Sequence, residues 1–216
     1  MWWDVAAEAK TEFEDWHTHE HMPERLAIPG FLRGSRWIAA SGEFSYFVLY
    51  EARTFATVTA GPYLERLNDP TPWSRKMMPQ HRNMVRSLCR VRASFGAGLG
   101  CFIATVRFAP KPRKGALLAK TLSEVLSRLP AREGLSGAHL LQSEPMGRPQ
   151  TAEQKIRGND ARADWVLLVS SYDRDALATL LGEELASPAL EARGAVPGTV
   201  AASYTLSYAM TDRDVR

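Results

Sequence analysis

Cysteine is scarce: Cys89 and Cys101 are the only two in 216 residues. A disulfide-stapled scaffold is excluded, and both thiols, set in apolar strand-like runs, are expected to be buried and free. Long apolar runs are missing as well. No stretch approaches the roughly 20 residues a membrane span needs, and no secretory leader is read at the start. The expected location is therefore cytoplasmic, with no membrane partner. Lysine is rare, the basic residues being mostly arginines scattered along the chain, and the net charge is only +3. No nucleic-acid-binding motif accompanies them, so no nucleic-acid partner is expected. The run GAGLG at 96–100 lacks the Lys-Ser/Thr of a phosphate loop and no helix follows it, which makes it a linker.

What is present concentrates in Thr11 to Trp37, TEFEDWHTHEHMPERLAIPGFLRGSRW. Thr11 and Glu14 have the spacing of a capping box. At about 100° per residue, Phe13, Trp16, His17, Glu20 and Glu24 share one stripe, with His21 on its shoulder. Pro23 has no N–H to donate and restricts Met22, so the helix is expected to end or kink near His21. A carboxylate on an inward stripe must be paired, and pairing shifts its pKa. Glu20 with His17 or Glu24 is thus material for acid–base chemistry. The bland alternative is that Glu20 or His21 only anchors the following Pro29-Gly30 turn. His17-Thr18-His19-Glu20-His21 also spells the inverted zincin motif, but no third ligand accompanies it and Pro23 follows too soon; no metal is expected.

The rest reads as alternating strands and helices. Met1–Val5 is a short strand; its brevity suggests a start further upstream. Strands follow at Gly30–Ala40 and Phe44–Glu51, with a turn at Ser41-Gly42-Glu43 between them. A helix opens at Pro62, Asp69–Pro79 reads as a loop, and a fourth strand lies within His81–Phe95, where Val85, Cys89, Val91, Ala93 and Phe95 alternate with Arg86, Leu88, Arg90 and Arg92. The pattern then recurs: strand Cys101–Phe108, an amphipathic helix Ala116–Leu129 with Leu117, Leu118, Leu122, Val125, Leu126 and Leu129 inward, strands Leu135–Gln142 and Trp165–Ser171, a helix capped by Asp173 or Asp175, and strand Thr199–Tyr208. Each half is β-α-β-β-α-β, the ferredoxin-like plan. The expected class is α+β, with two such modules over residues 1–97 and 98–216, read as a tandem duplication. Ser143–Ala163 is an unusually long connection, expected to be a lid or disordered, in which Arg148, Lys155 and Arg157 could close on an anion.

The string from Trp16 to Trp37, W-H-x-x-E-H-x-P-E-R-L…P-G-F-L-R-x-x-R-W, resembles the signature of EthD-like proteins of the dimeric α/β-barrel superfamily. The best matches are Trp16, Glu20, His21, Pro23, Glu24 and the Pro29-Gly30-Phe31 turn; His17 departs from the Tyr common there. The resemblance implies two ferredoxin-like sheets packed face to face as a barrel, here within one chain, and allows a homodimer besides. Relatives of that kind include cofactor-free monooxygenases, isomerases, cyclases and haem-binding enzymes. No haem ligand can be assigned; His81 and His139 are lone and read as structural, and no cofactor is expected.

The functional expectation is an enzyme acting on a small aromatic or carboxylate-bearing metabolite: an isomerase, lyase or cofactor-free oxygenase. Glu20, His21 and His17 are the candidate catalytic group. Trp16, Glu24, Trp37, Tyr50 and Tyr63 are candidate pocket walls, and Arg36 or Arg90 could hold an anion. The rival expectation is a small-ligand binding or structural protein without chemistry.

Overall fold

The structure is a computed structural model that describes residues 1–41, 44–59, 61–145, 150–158 and 160–215. The turn expected at Gly42-Glu43, and Arg148, lie outside them. Among the described residues nine strands form one antiparallel sheet: β1 Trp2–Val5, β2 Phe31–Ser41, β3 Tyr46–Ala52, β4 His81–Val85, β5 Cys89–Gly96, β6 Phe102–Phe108, β7 Leu135–Ser143, β8 Trp165–Ser171 and β9 Val200–Thr211. Their spatial order is β4-β1-β3-β2-β9-β6-β8-β7-β5. The first four follow the ferredoxin-like order, and β9-β6-β8-β7 repeats it. The strands at the two ends of this order, β4 and β5, are consecutive in the chain, so residues 86–88 join one margin of the curled sheet to the other. Backbone bonds fix that link: Arg86 N–H donates to Ala161 O at 2.8 Å and Glu144 N–H to Leu88 O at 2.9 Å.

The helices are α1 Lys10–Trp16, α2 Met22–Leu26, α3 Gly61–Asn68, α4 Pro72–Met77, α5 Gly115–Leu126, α6 Ala152–Arg157, α7 Arg174–Gly182 and α8 Ser187–Arg193. None of them is long and apolar enough to cross a membrane. Strand β8 shows how the sequence builds the layers. Its run WVLLVSS is buried throughout because both faces are covered. Trp165, Leu167 and Val169 meet α5, α7 and α8; Val166 and Leu168 meet Trp2, Trp37, Phe47, Ile103 and Tyr204. This second cluster draws on both halves of the chain and is the interior of the barrel. Trp2 on β1 donates to Thr105 Oγ1 on β6 at 3.1 Å across it, and the Arg107 guanidinium lies 5.2 Å from the Trp2 ring.

Several expectations are corrected. The fourth strand is His81–Val85 alone; Cys89–Gly96 is a separate strand paired with β7, because Arg86–Leu88 leave the ladder to bridge the barrel. Asp69–Pro79 is not a loop: Thr71 caps α4, its hydroxyl accepting from Ser74 N–H at 3.0 Å, with Pro72 in the first turn. Thr11 and Glu14 form no capping box, since the helix is already under way at Lys10 and Glu14 accepts from the Tyr46 hydroxyl at 2.6 Å. The long connection contains α6, started by a true capping box of Thr151 and Gln154. Leu117 is exposed, as the inward face of α5 is the narrower Leu118-Leu122-Leu126 stripe. Cys101 is exposed in the bend before β6, while Cys89 is half-buried and free.

Replacing Thr105 with Val keeps the volume and removes the acceptor of the Trp2 indole. The expected cost is about 1–3 kcal/mol for a buried donor left unpaired, read as a lower urea midpoint with an unchanged slope.

Candidate active site

Helix α1 does not stop at Pro23. It widens into one π-turn, His17–His21, in which Met22 N–H reaches back five residues to His17 O, and then resumes as α2. Pro23 could not have donated to the fourth residue back, and the wider turn absorbs that loss. The extra residue advances the helix register by one. A regular helix would turn Glu20 and Glu24 inward; here His21 and Arg25 are buried in their place, together with Phe13, Trp16, His17, Met22 and Leu26. Gly34 on β2 makes room below: a Cβ there would lie 2.9 Å from Met22 Cγ and 3.0 Å from the Tyr50 ring. Gly30, at φ +97°, turns the chain from α2 into β2.

The histidines sit in an aromatic stack. The His21 ring is 4.5 Å from Trp16 and 5.6 Å from His17, and His81 is 5.1 Å from Trp3. His17 Nε2 is 3.5 Å from the Tyr50 hydroxyl. Among the described residues the Nδ1 atoms of His17 and His21 have no hydrogen-bond partner. Burial, reinforced by Arg36 for His17 and by Arg25 for His21, holds both imidazoles well below the ordinary 6.5. Burial likewise brings His81 to about 4. All three are neutral at neutral pH. Burial pushes the Tyr50 phenol up as well, so it too is uncharged.

His21 lines a cavity of about 720 Å³, shared with Arg25, Phe31, Tyr50, Tyr63, Arg86 and Glu153 at one end and with Leu49, Leu141 and Leu168 of the barrel at the other. A charged network borders it. Arg25 pairs with Glu153 of α6; Arg157 lies 3.7 Å from Glu153 and 3.0 Å from Asp160; Arg86 donates to the Tyr63 hydroxyl at 2.9 Å. Burial works against the Arg25 charge, and the Glu153 carboxylate outweighs it, so the guanidinium stays protonated.

The remaining sequence candidates are placed as follows. Glu20 does not line the cavity. Its carboxylate accepts from Trp16 Nε1 at 3.0 Å, Thr71 Oγ1 at 2.5 Å and Ser74 Oγ at 3.3 Å, tying the π-turn to the cap of α4. Glu24 is half-buried 3.5 Å from Arg66, and burial raises its pKa despite Arg25 and Arg66 nearby. Arg36 donates to Glu14 O at 2.9 Å and Thr18 Oγ1 at 3.0 Å, and does not line the cavity. Trp37 is buried in the barrel interior, its indole on Ser35 Oγ at 2.9 Å. Arg90 is at the rim, 4.4 Å from the Phe55 ring and 3.2 Å from Glu144. The structure thus brings together His21, Tyr50, Tyr63 and Arg90 around the cavity, with His17 and Trp16 behind. Sequence reasoning missed Arg25, Arg86 and Glu153; only the capping box of α6, which delivers Glu153, had a local signal. Among the described residues no three His, Cys, Asp or Glu side chains converge in a metal-holding group.

No family model and no curated protein matches the chain. Solved structures do. An anthrone oxidase-like protein superposes with a TM-score of 0.67 at 8% identity, over 100% of this chain and 92% of its own. A candidate monooxygenase from Fusobacterium nucleatum gives 0.60 at 10% identity, covering 97% and 91%. The chain has the dimeric α/β-barrel fold. A candidate monooxygenase from Lactobacillus acidophilus shares this barrel, with a TM-score of 0.57 at 9% identity over 98% and 93%. In this α/β-barrel chain both ferredoxin-like halves belong to one polypeptide and share one nine-stranded sheet.

Two stability measurements probe the site. Glu20→Ala removes the Oε1 that accepts from all three donors, and a loss of about 1–3 kcal/mol is expected in urea unfolding. The buried histidines set a pH dependence. Below pH 6.5 the unfolded chain takes up protons that the folded chain refuses, so stability falls as pH falls. For His81 the loss continues down to about pH 4. Between pH 7 and 5 the drop is expected to be about 2 kcal/mol smaller in His81→Phe than in the unmutated protein; equal drops would refute the assignment of a neutral, buried His81.

Proposed function

We propose that the chain is a cofactor-free enzyme of small-molecule metabolism in which His21 accepts a proton from an aromatic ligand held in the cavity. One observation carries the reading: a neutral, buried imidazole stands in the wall of a cavity large enough for a two- or three-ring compound. A neutral histidine is a competent base, whereas a protonated one is not. Trp16 fixes the ring plane of His21, and Glu20 fixes Trp16, so Glu20 is a positioning residue. His17 and Tyr50 complete a second uncharged pair behind it. Removing a proton from a ring or from a carbon beside a carbonyl is the first step shared by isomerases, lyases and cofactor-free oxygenases. The names carried by the fold neighbours, anthrone oxidase-like and monooxygenase, favour the oxygenase: the deprotonated, electron-rich ring then reacts with dioxygen. We also read the matching strand order of the halves as a tandem duplication, with modules 1–97 and 98–216, and the protein as cytoplasmic. The alternative, a ligand-binding protein without chemistry, draws on Glu20, whose three donors all belong to the scaffold.

Oxygen uptake with anthrone-type and polyphenolic substrates tests this. His21→Gln should lower kcat by about 10²–10⁴-fold without changing the melting temperature. For the unmutated protein kcat/KM should stay level from pH 8 to about 6.5 and fall only as His21 is forced to protonate, well below its ordinary pKa. Full activity in His21→Gln removes the proton-transfer role.

A further inference from the structure

We infer that Arg25 and Arg86, backed by Arg157, form an anion-binding subsite at the helical end of the cavity, and that the ligand is an aromatic carboxylate. This inference rests on the cavity reading above and names the class of compound it takes.

The first argument is charge. Three guanidinium groups line this end, and the carboxylates set against them are two, Glu153 and Asp160. Glu24 is the next carboxylate, and Arg66 answers it. The neighbouring histidines are neutral and contribute no compensating charge of either sign. A buried cation without a counter-ion is costly, so the cluster as it stands favours an incoming negative charge.

The second argument is hydrogen bonding. Arg25 is only 3% exposed, yet among the described residues its Nη1 has no acceptor; the Nε of Arg157, on a side chain 6% exposed, has none either. Arg86 donates to a phenol, Tyr63, and not to a carboxylate. The Arg86 guanidinium, which lines the cavity, is the planar fork that takes a carboxylate on two oxygens, and the sealed donors of Arg25 and Arg157 add uncompensated positive charge behind it. The walls suit the rest of such a molecule: Phe31, Tyr50 and Tyr63 flank the arginines, and His21 shares the same cavity. An aromatic acid anchored here would present its ring to His21.

The test compares 2-naphthoate with its uncharged counterpart 2-naphthamide, titrated calorimetrically against the full chain. Naphthoate is expected to bind at least about tenfold more tightly, and Arg86→Gln to remove most of that preference. Because Arg25→Gln alone would strand Glu153, the second variant is the double Arg25→Gln/Glu153→Gln, which should also lose the preference. Equal affinities for the two probes, or a preference that survives both variants, overturns the subsite and leaves the cavity as a ligand pocket. A preference abolished by raising the salt belongs to exposed arginines and overturns it as well. Binding of neither probe overturns subsite and cavity reading together. A preference that stands while His21→Gln keeps full turnover overturns the proton-transfer role and not the subsite.

Discussion

Pro23 has no amide hydrogen, and the helix that carries it meets that loss by widening for one turn instead of stopping. The bond from Met22 back to His17 adds a residue to the turn, and everything beyond it faces a new direction. His21 and Arg25 become interior residues; Glu20 and Glu24 become flanking ones. The seat of His21 against Trp16 and the Arg25–Glu153 pair follow from this shift. Had Pro23 been a residue with an N–H, a regular helix would have presented two carboxylates to the same space. Strained or widened turns of this kind recur at functional sites, because they aim side chains that a regular helix cannot.

The interior that results is electrostatically unusual. Arginines cannot lose their charge, so burying them requires partners. Arg25 finds one far along the chain, in Glu153 on α6. That contact, with Arg157 beside it, makes a six-residue helix in a long connection part of the wall of the cavity. The same arginines help keep His17, His21 and His81 unprotonated. Positive charge that cannot move is set beside imidazoles that each keep a single ring proton and stay neutral.

The barrel supplies the enclosure. β2 and β9 are paired from Arg33 to Ser41, which joins the two modules into one sheet, and residues 86–88 tie its margins. The interior cluster drawn from both modules closes one end of the cavity, while α2 and α6 close the other. Neither module alone would form the chamber.

The sequence by itself determined the class and most of the strands. Periodicity is a local property, so alternation in FSYFVLYE, continuous burial in VLLVSS and leucines four apart in α5 were legible residue by residue. The order of elements repeated, and with it the two ferredoxin-like modules. Caps with a local signal were legible too, as at Asp173, and those at Thr71 and Thr151 could have been read in the same way. The tertiary structure decided the rest. A one-residue register shift inside a helix leaves no mark in composition, so Glu20 and Glu24 stood where His21 and Arg25 belong. The separation of β4 from β5 depends on where the barrel must be bridged, which no window of the chain records. Above all, Glu153 meets Arg25 across 128 positions, and pairing over that distance is set by packing, not by any neighbour in the sequence.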